Sequence, residues 1–149
     1  MTDTMAERDF EVRPVSSREE VAELLQVREQ VFCVEQGVPI RDERDGRDAE
    51  GLHLVAIVGG HVVATCRLIF SGDAVLLSRL AVDKSARRCG IAGAILDESD
   101  RIARARGQRR ILLHAQTYVR ALYEKHGYEP RGRIFVDAGI EHIAMEKHL

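Results

Sequence analysis

Residues Leu77 to Leu96 read LSRLAVDKSARRCGIAGAIL. An apolar strand pattern runs into a short polar loop, and small residues then open a long helical stripe. The first N–H groups of a helix have no intrahelical partner, and the helix dipole favours an anion beside them. Gly90, Ala92 and Gly93 lack bulk, so a pyrophosphate could approach the main chain, and Arg87 and Arg88 add cationic donors. The stretch reads chemically as a diphosphate cradle. It is neither a Walker loop, since GxxxxGK[ST] is absent, nor the GxGxxG dinucleotide fingerprint.

Working outward, Phe10 to Val15 alternates apolar and polar side chains as a half-buried strand does, and Ser16 and Ser17 precede Glu19 and Glu20 at capping-box spacing. Val21, Leu24, Leu25, Val31 and Phe32 then fall at helical spacing on one face until Val38-Pro39 breaks the pattern, and the segment to Gly51 is polar and reads as irregular. Strands are predicted over His53 to Val58, His61 to Phe70 and Ala74 to Val82, joined by Gly59-Gly60 and Ser71-Gly72-Asp73 turns. The cradle leads into a helix over Arg88 to Arg106, with Gly107 where a C-cap belongs. A strand over Arg110 to Ala115, a helix marked by Tyr118, Ala121 and Leu122, and strands over Tyr128 to Val136 and Ile140 to Lys147 follow. This is an α+β pattern: a mostly antiparallel mixed sheet with flanking helices.

The chain has 149 residues, 45% hydrophobic and 31% charged, enough for one domain spanning 1–149. Lys and Arg number 22 and Asp and Glu 24, a formal charge of −2, which argues against a nucleic-acid binder with a basic stripe. No apolar run approaches a membrane span, and the start MTDTMAERDFE has no apolar core of a signal peptide. Cys33, Cys66 and Cys89 form no CxxC pair, so they read as reduced thiols of a cytoplasmic protein. The six His show no HxH or HExxH spacing, and DERDGRDAE (42–50) lacks the DxDxDG order of a calcium loop, so no metal is expected.

Arg87-x-x-Gly90-x-Ala92 resembles the R/Q-x-x-G-x-G/A signature of GNAT N-acetyltransferases. Gln116 to Tyr128 (QTYVRALYEKHGY) resembles the same family's N-x-x-A-x-x-x-Y-E-K-x-G-F segment, with Gln116 for the usual Asn and Val119 for the usual Ala. VREQVFCVEQGVP (27–39), Glu43-x-Asp45-x-x-Asp48, His53, Ala64 to Leu68, Leu113 to Gln116 and Gly139 to His142 are similar to the ElaA/YjcF-like branch. The resemblance, from about Val27 to Met145, implies a GNAT fold and acetyl-CoA as co-substrate. It implies that main-chain groups of Leu80, Ala81 and Val82 pair with the pantetheine arm, that Arg87, Arg88, Gly90, Ile91, Ala92 and Gly93 hold the pyrophosphate, and that Gln116 also contacts the cofactor. It further implies that Tyr123 protonates the departing thiolate. A tyrosine hydroxyl, with a pKa of roughly 10, carries its proton at neutral pH and can make that donation.

The acceptor is read as a primary amine, in particular a small cationic molecule. An alkyl amine, with a pKa of roughly 10.4 as for Lys, must lose a proton before it attacks. Glu35 is the expected general base, with His53 and His114 as alternatives. Arg28, Gln36, Asp45, Asp48 and His114 are assigned to the substrate side; the five carboxylates Glu35, Asp42, Glu43, Asp45 and Asp48 would attract an ammonium group, with Asp45 and Asp48 helping to position it. A solvated charged loop is the competing account of residues 42–50. Cys89, beside two arginines and a helix start, reads as a loop residue, because direct transfer needs no nucleophile. Two other functions fit parts of the pattern. Arg28, Phe32, Asp45, Asp48 and Arg67 also resemble acyl-homoserine-lactone synthases, although the chain has no Trp, and a non-catalytic acyl-CoA-binding sensor would share the cradle. No nucleic-acid or membrane partner is expected, and the reading allows a homodimer.

Overall fold

A computed structural model describes residues 9–149, so the reading of the first eight residues lies outside the described residues. Strand β1 (Glu11–Pro14) leads into helix α1 (Arg18–Arg28). Ser17 caps it by accepting from the Glu20 N–H, while the Glu20 carboxylate accepts from the Ser16 N–H, one residue earlier than in a simple capping box. The helix does not keep α geometry to Phe32 as the spacing suggested. Residues Glu29–Glu35 form a π-helical turn; the buried stripe of the whole segment is Leu24, Val27, Arg28 and Val31, and Val21 is 40% exposed.

Residues 40–50 are less irregular than their polarity implied: a one-turn helix α2 (Ile40–Glu43) follows Pro39, and a 3₁₀ turn covers Asp48–Glu50. Strands β2 (Leu52–Val58), β3 (His61–Ser71) and β4 (Ala74–Val82) form an antiparallel meander, as their turn signals predict. Helix α3 (Ile91–Ala105) begins three residues later than expected, because Arg88 (φ 64°) and Gly90 (φ 81°) are left-handed and cannot be helical. Strand β5 (Arg110–Gln116), a 3₁₀ turn, helix α4 (Arg120–Lys125), and strands β6 (Glu129–Asp137) and β7 (Ile140–His148) complete the chain.

The seven strands form one sheet in the order β1-β2-β3-β4-β5-β7-β6, and β4–β5 is its parallel pair. Alternate residues of each strand serve opposite faces. Leu54, Ala56, Cys66 and Leu68 pack with Ile91, Ile95, Leu96 and Tyr123 from α3 and α4, whereas Val55 and Val62 pack with Leu24, Val27 and Val31 of the α1 segment. Helices therefore cover both faces of a mostly antiparallel sheet, the α+β architecture expected. Among the described residues no helix is long and apolar enough to cross a membrane.

Candidate active site

The parallel pair is short. Strand β4 matches β5 only from Ala74–Arg110 to Leu76–Leu112; beyond that β4 stays with β3 as far as Val82, and β5 stays with β7 as far as Gln116. The two strands part, leaving the facing edge of β4 beyond Leu76 with no neighbour in the sheet. A bulge enhances the divergence: between Thr65–Ala81 and Arg67–Ser78, β3 has one residue and β4 has two, with Arg79 at φ 58°. The opening is a cleft of about 1170 Å³ lined by Leu80, Ala81 and Val82 on one side and by Leu112, His114 and Gln116 on the other.

The cradle lies at one end of this cleft. Ala86, 1% exposed, anchors the loop in the core, and Asp83 accepts from the Ser85 N–H to shape it. Gly90 occupies the N-cap position in a left-handed conformation that a side chain would strain, and it offers no side-chain cap to the first N–H groups of α3. Those groups are thus available to an anion. Arg87 and Ala92 line the cleft. Arg88 is exposed and outside the lining, and the Ile91 side chain is core, so any part Ile91 plays is through its main chain. The small size of Gly93 has another cause: an added Cβ would come within 3.1 Å of Nε2 of His126, so glycine here lets α3 and the end of α4 pack closely. The turn fits a diphosphate by its shape, its free N–H groups and the Arg87 charge. Cys89 donates its thiol to the Arg87 carbonyl at 3.3 Å, a loop contact.

Tyr123 reaches the cleft from α4, 7% exposed and edge-on to Tyr128 with ring centroids 5.8 Å apart. Burial pushes its hydroxyl well above the ordinary tyrosine range, so it stays protonated. Across the opening, the π-helical turn presents Glu35 and Gln36. Gln36 and Gln116 exchange side-chain hydrogen bonds at 2.8 and 3.3 Å, and Gln36 also donates to the Tyr118 hydroxyl at 3.0 Å, tying the α1 segment to β5. The Glu35 carboxylate accepts from Arg87 Nη2 at 2.5 Å, while Arg87 Nε donates to the Val82 carbonyl at 2.9 Å. The expected base and the expected phosphate ligand are thus bound to each other.

Three residues assigned to the substrate side are not brought to the cleft. Arg28 is 0% exposed and donates to the Glu43 carboxylate at 2.8 and 3.0 Å and to Asp48 at 2.9 Å. Asp45 accepts from Arg67 at 2.7 and 2.8 Å, and Asp48 also accepts from Arg67, at 2.9 Å. Arg79 joins through Glu43 at 2.8 Å, and Arg44 pairs with the other Glu43 oxygen. Of these seven residues only Glu43, Arg67 and Arg79 reach the lining of the cleft, besides Asp42 and Arg47 of the same loop. The Arg67 guanidinium holds the Asp45 carboxyl far below the usual range; Asp48 is also lowered, with its arginine hydrogen bonds outweighing its desolvation. Asp45 and Asp48 are thus paired with arginines and stand outside the cleft lining rather than free to face an ammonium group. Composition hid this, because Arg28 and Arg67 lie far from the loop in sequence.

His53 is also removed from consideration as a base: its Nε2 lies 2.9 Å from the Asp48 carbonyl, inside the same network, and it does not line the cleft. His114 does line it, exposed and edge-on to Phe135. One further lining histidine was named from the sequence only within the Gly139 to His142 resemblance and was given no role. His142 faces Gln116 across the β5–β7 register and stacks on Phe135 with centroids 5.7 Å apart. The signal available was its position: two residues into a strand that follows the Ala138-Gly139 turn.

The family model described as an acetyltransferase (GNAT) domain matches residues 13–149. YjcF of Bacillus subtilis (strain 168), an uncharacterized N-acetyltransferase, is 35% identical over 132 residues, covering 88% of this chain and 94% of the relative. The crystal structure of Escherichia coli ElaA superposes with a TM-score of 0.83 at 24% identity, over 93% of this chain and 99% of that one. A GNAT family acetyltransferase from Elizabethkingia anophelis, with acetyl-CoA bound, superposes with a TM-score of 0.75 at 14% identity, over 95% of this chain and 99% of that one.

Proposed function

Because this chain belongs to the GNAT acetyltransferases and is an acetyl-CoA-dependent N-acetyltransferase, we propose that its acceptor is a primary amine, acetylated directly in the β4–β5 opening. The observation that carries this reading is the parting of β4 from β5 beside an uncapped helix start, with Tyr123 in the same cleft. The activated acetyl group comes from the thioester. Main-chain groups of Leu80, Ala81 and Val82 on the free β4 edge would hold the pantetheine arm, and Gln116 would border it from β5. Arg87 and the N–H groups from Gly90 to Gly93 would hold the pyrophosphate, with Arg88 supplying positive charge from the rim. Tyr123 then hands its proton to the sulfur as the C–S bond breaks, in a site dry enough to keep it protonated until that moment.

Glu35 has a different part in this reading from that of general base. Its carboxylate is already occupied by the Arg87 guanidinium. Its contact with Arg87 instead orients the guanidinium over the turn, with Val82 fixing the other edge. Gln36 would position the acceptor through its link to Gln116, and His114 would border it. The preference for a cationic acceptor rested on five carboxylates, of which Glu35, Glu43, Asp45 and Asp48 are paired with arginines and Asp42 lines the cleft, so the proposal keeps the amine and leaves its charge free.

The test is a broad amine panel with acetyl-CoA, read by release of free thiol. Turnover with at least one primary amine is expected. Tight acetyl-CoA binding with no turnover across the panel would contradict the proposal and favour a non-catalytic acyl-CoA-binding module.

A further inference from the structure

We propose that His142 is the catalytic base that takes the proton from the acceptor ammonium group, a role that rests on the acetyl-transfer reading above. His142 stands on β7, paired in register with Gln116 on one side and Phe135 on the other, so all three share a face of the sheet and His142 lines the cleft. Its Nδ1 is 2.8 Å from the Ile140 carbonyl. A carbonyl only accepts, so Nδ1 carries the hydrogen, and in the neutral ring the lone pair is at Nε2. Nε2 makes no hydrogen bond to any described residue. The ring is held in place: Phe135 lies against it at 22° between planes, and His114 meets Phe135 edge-on at 5.1 Å. A proton acceptor with a fixed tautomer and a fixed plane thus faces the acceptor side of the cleft from a strand, not a mobile loop.

The rivals are each otherwise engaged or less fixed. Glu35 is paired with Arg87, His53 is outside the cleft, and His114 makes no hydrogen bond that would set its tautomer. The charged and titratable groups that line the cleft around His142 are His114 on β5, Tyr118 just after it, Arg131 and Asp137 at the two ends of β6, and Glu35 across the opening, while Glu141 is its neighbour on β7. In the step, Nε2 accepts one proton from the ammonium and passes it to solvent. The freed nitrogen lone pair forms the C–N bond, and the C–S bond breaks with its electron pair on sulfur. Tyr123 protonates the sulfur, and the second N–H proton, lost as the amide forms, restores Tyr123. One proton is released for each acetyl group moved.

His142→Asn tests this, because its side-chain amide can still donate to the Ile140 carbonyl but has no basic lone pair. With an alkyl amine at pH 7, kcat/KM should fall by about 10²–10⁴-fold, with acetyl-CoA affinity by calorimetry unchanged. The defect should narrow as pH rises, since solvent then supplies uncharged amine. Glu35→Gln should retain the wild-type acidic limb of the pH profile. An active His142→Asn enzyme within twofold of wild type would overturn the proposal, as would a defect equal at every pH, or loss of the acidic limb in Glu35→Gln instead. A wild type that moves acetyl to no amine would overturn the transfer reading, and this proposal with it; an unaffected variant overturns this proposal alone.

Discussion

Tyr123 and Cys66 lie on the same buried side of the sheet, and burial acts on both in the same direction. It pushes the Cys66 thiol up to about 12 and raises the Tyr123 hydroxyl above its ordinary value, desolvation being the main cause in each case. The sign matters for function. Tyr123 is needed in its protonated form, and a raised value extends that form to higher pH, so no fall in kcat from its ionisation is expected below about pH 10. Replacing Tyr123 with Phe should lower kcat by about 10²–10⁴-fold and leave the dissociation constant for acetyl-CoA unchanged. Steady-state kinetics together with isothermal titration check both halves. Full activity in the Phe variant would hand the proton transfer to solvent. At Cys66 the same physics makes the thiol inert, and its contact with Ser99 at 3.7 Å is internal packing.

At the scale of elements, the loop from Asp42 to Glu50 is held by arginines from three others: Arg28 on α1, Arg67 on β3 and Arg79 at the β4 bulge. Removing one partner from a buried pair leaves the other charge uncompensated, at a cost of roughly 3–5 kcal/mol. Arg28→Leu should therefore destabilise the fold measurably in chemical denaturation, by less than that full cost, because Glu43, 2% exposed, loses its buried partner but keeps Arg79 and Arg44. A loss below 1 kcal/mol would mean the network is peripheral. The pH dependence has a definite sign. Asp45 and Asp48 have depressed folded values, so their contribution is complete above the ordinary aspartate range and is lost progressively as pH falls from that range through their lower folded values.

The elements themselves were largely legible in the sequence. Period-two runs and Gly-Gly or Ser-Gly-Asp turns marked β2 to β4, and the Ile91 to Ala103 stripe marked α3, because local patterning alone determines those features. What was not legible depended on contacts distant in the chain. The π-helical turn at Glu29–Glu35 has the same apolar spacing as the helix it continues, and the neutralisation of Asp45 by Arg67 joins residues 22 positions apart. Local pattern marked the turn before α3 and Tyr123, which the fold places at one cleft, but not what sheet register pairs, as between His142 and Gln116.

For the molecule as a whole, the decisive feature is one sheet held together at its base and parted at its top. β4 and β5 join for three residue pairs and then diverge, each kept in place by its outer neighbour, so the cleft is part of the fold and needs no movement to form. Helices on both faces support the two halves, and α3 delivers its N-terminus to the rim. The unpaired β4 edge and the first turn of α3 then both offer free main-chain groups to a ligand in the cleft. Amide hydrogen exchange with and without acetyl-CoA tests this directly. Strong new protection is predicted in two stretches only, Leu80 to Val82 and Gly90 to Gly93, and both should be lost in Gly90→Glu while its β2–β3 core amides exchange as in wild type. Saturating acetyl-CoA that leaves both stretches exchanging at their free rates, with protection elsewhere, would contradict the account.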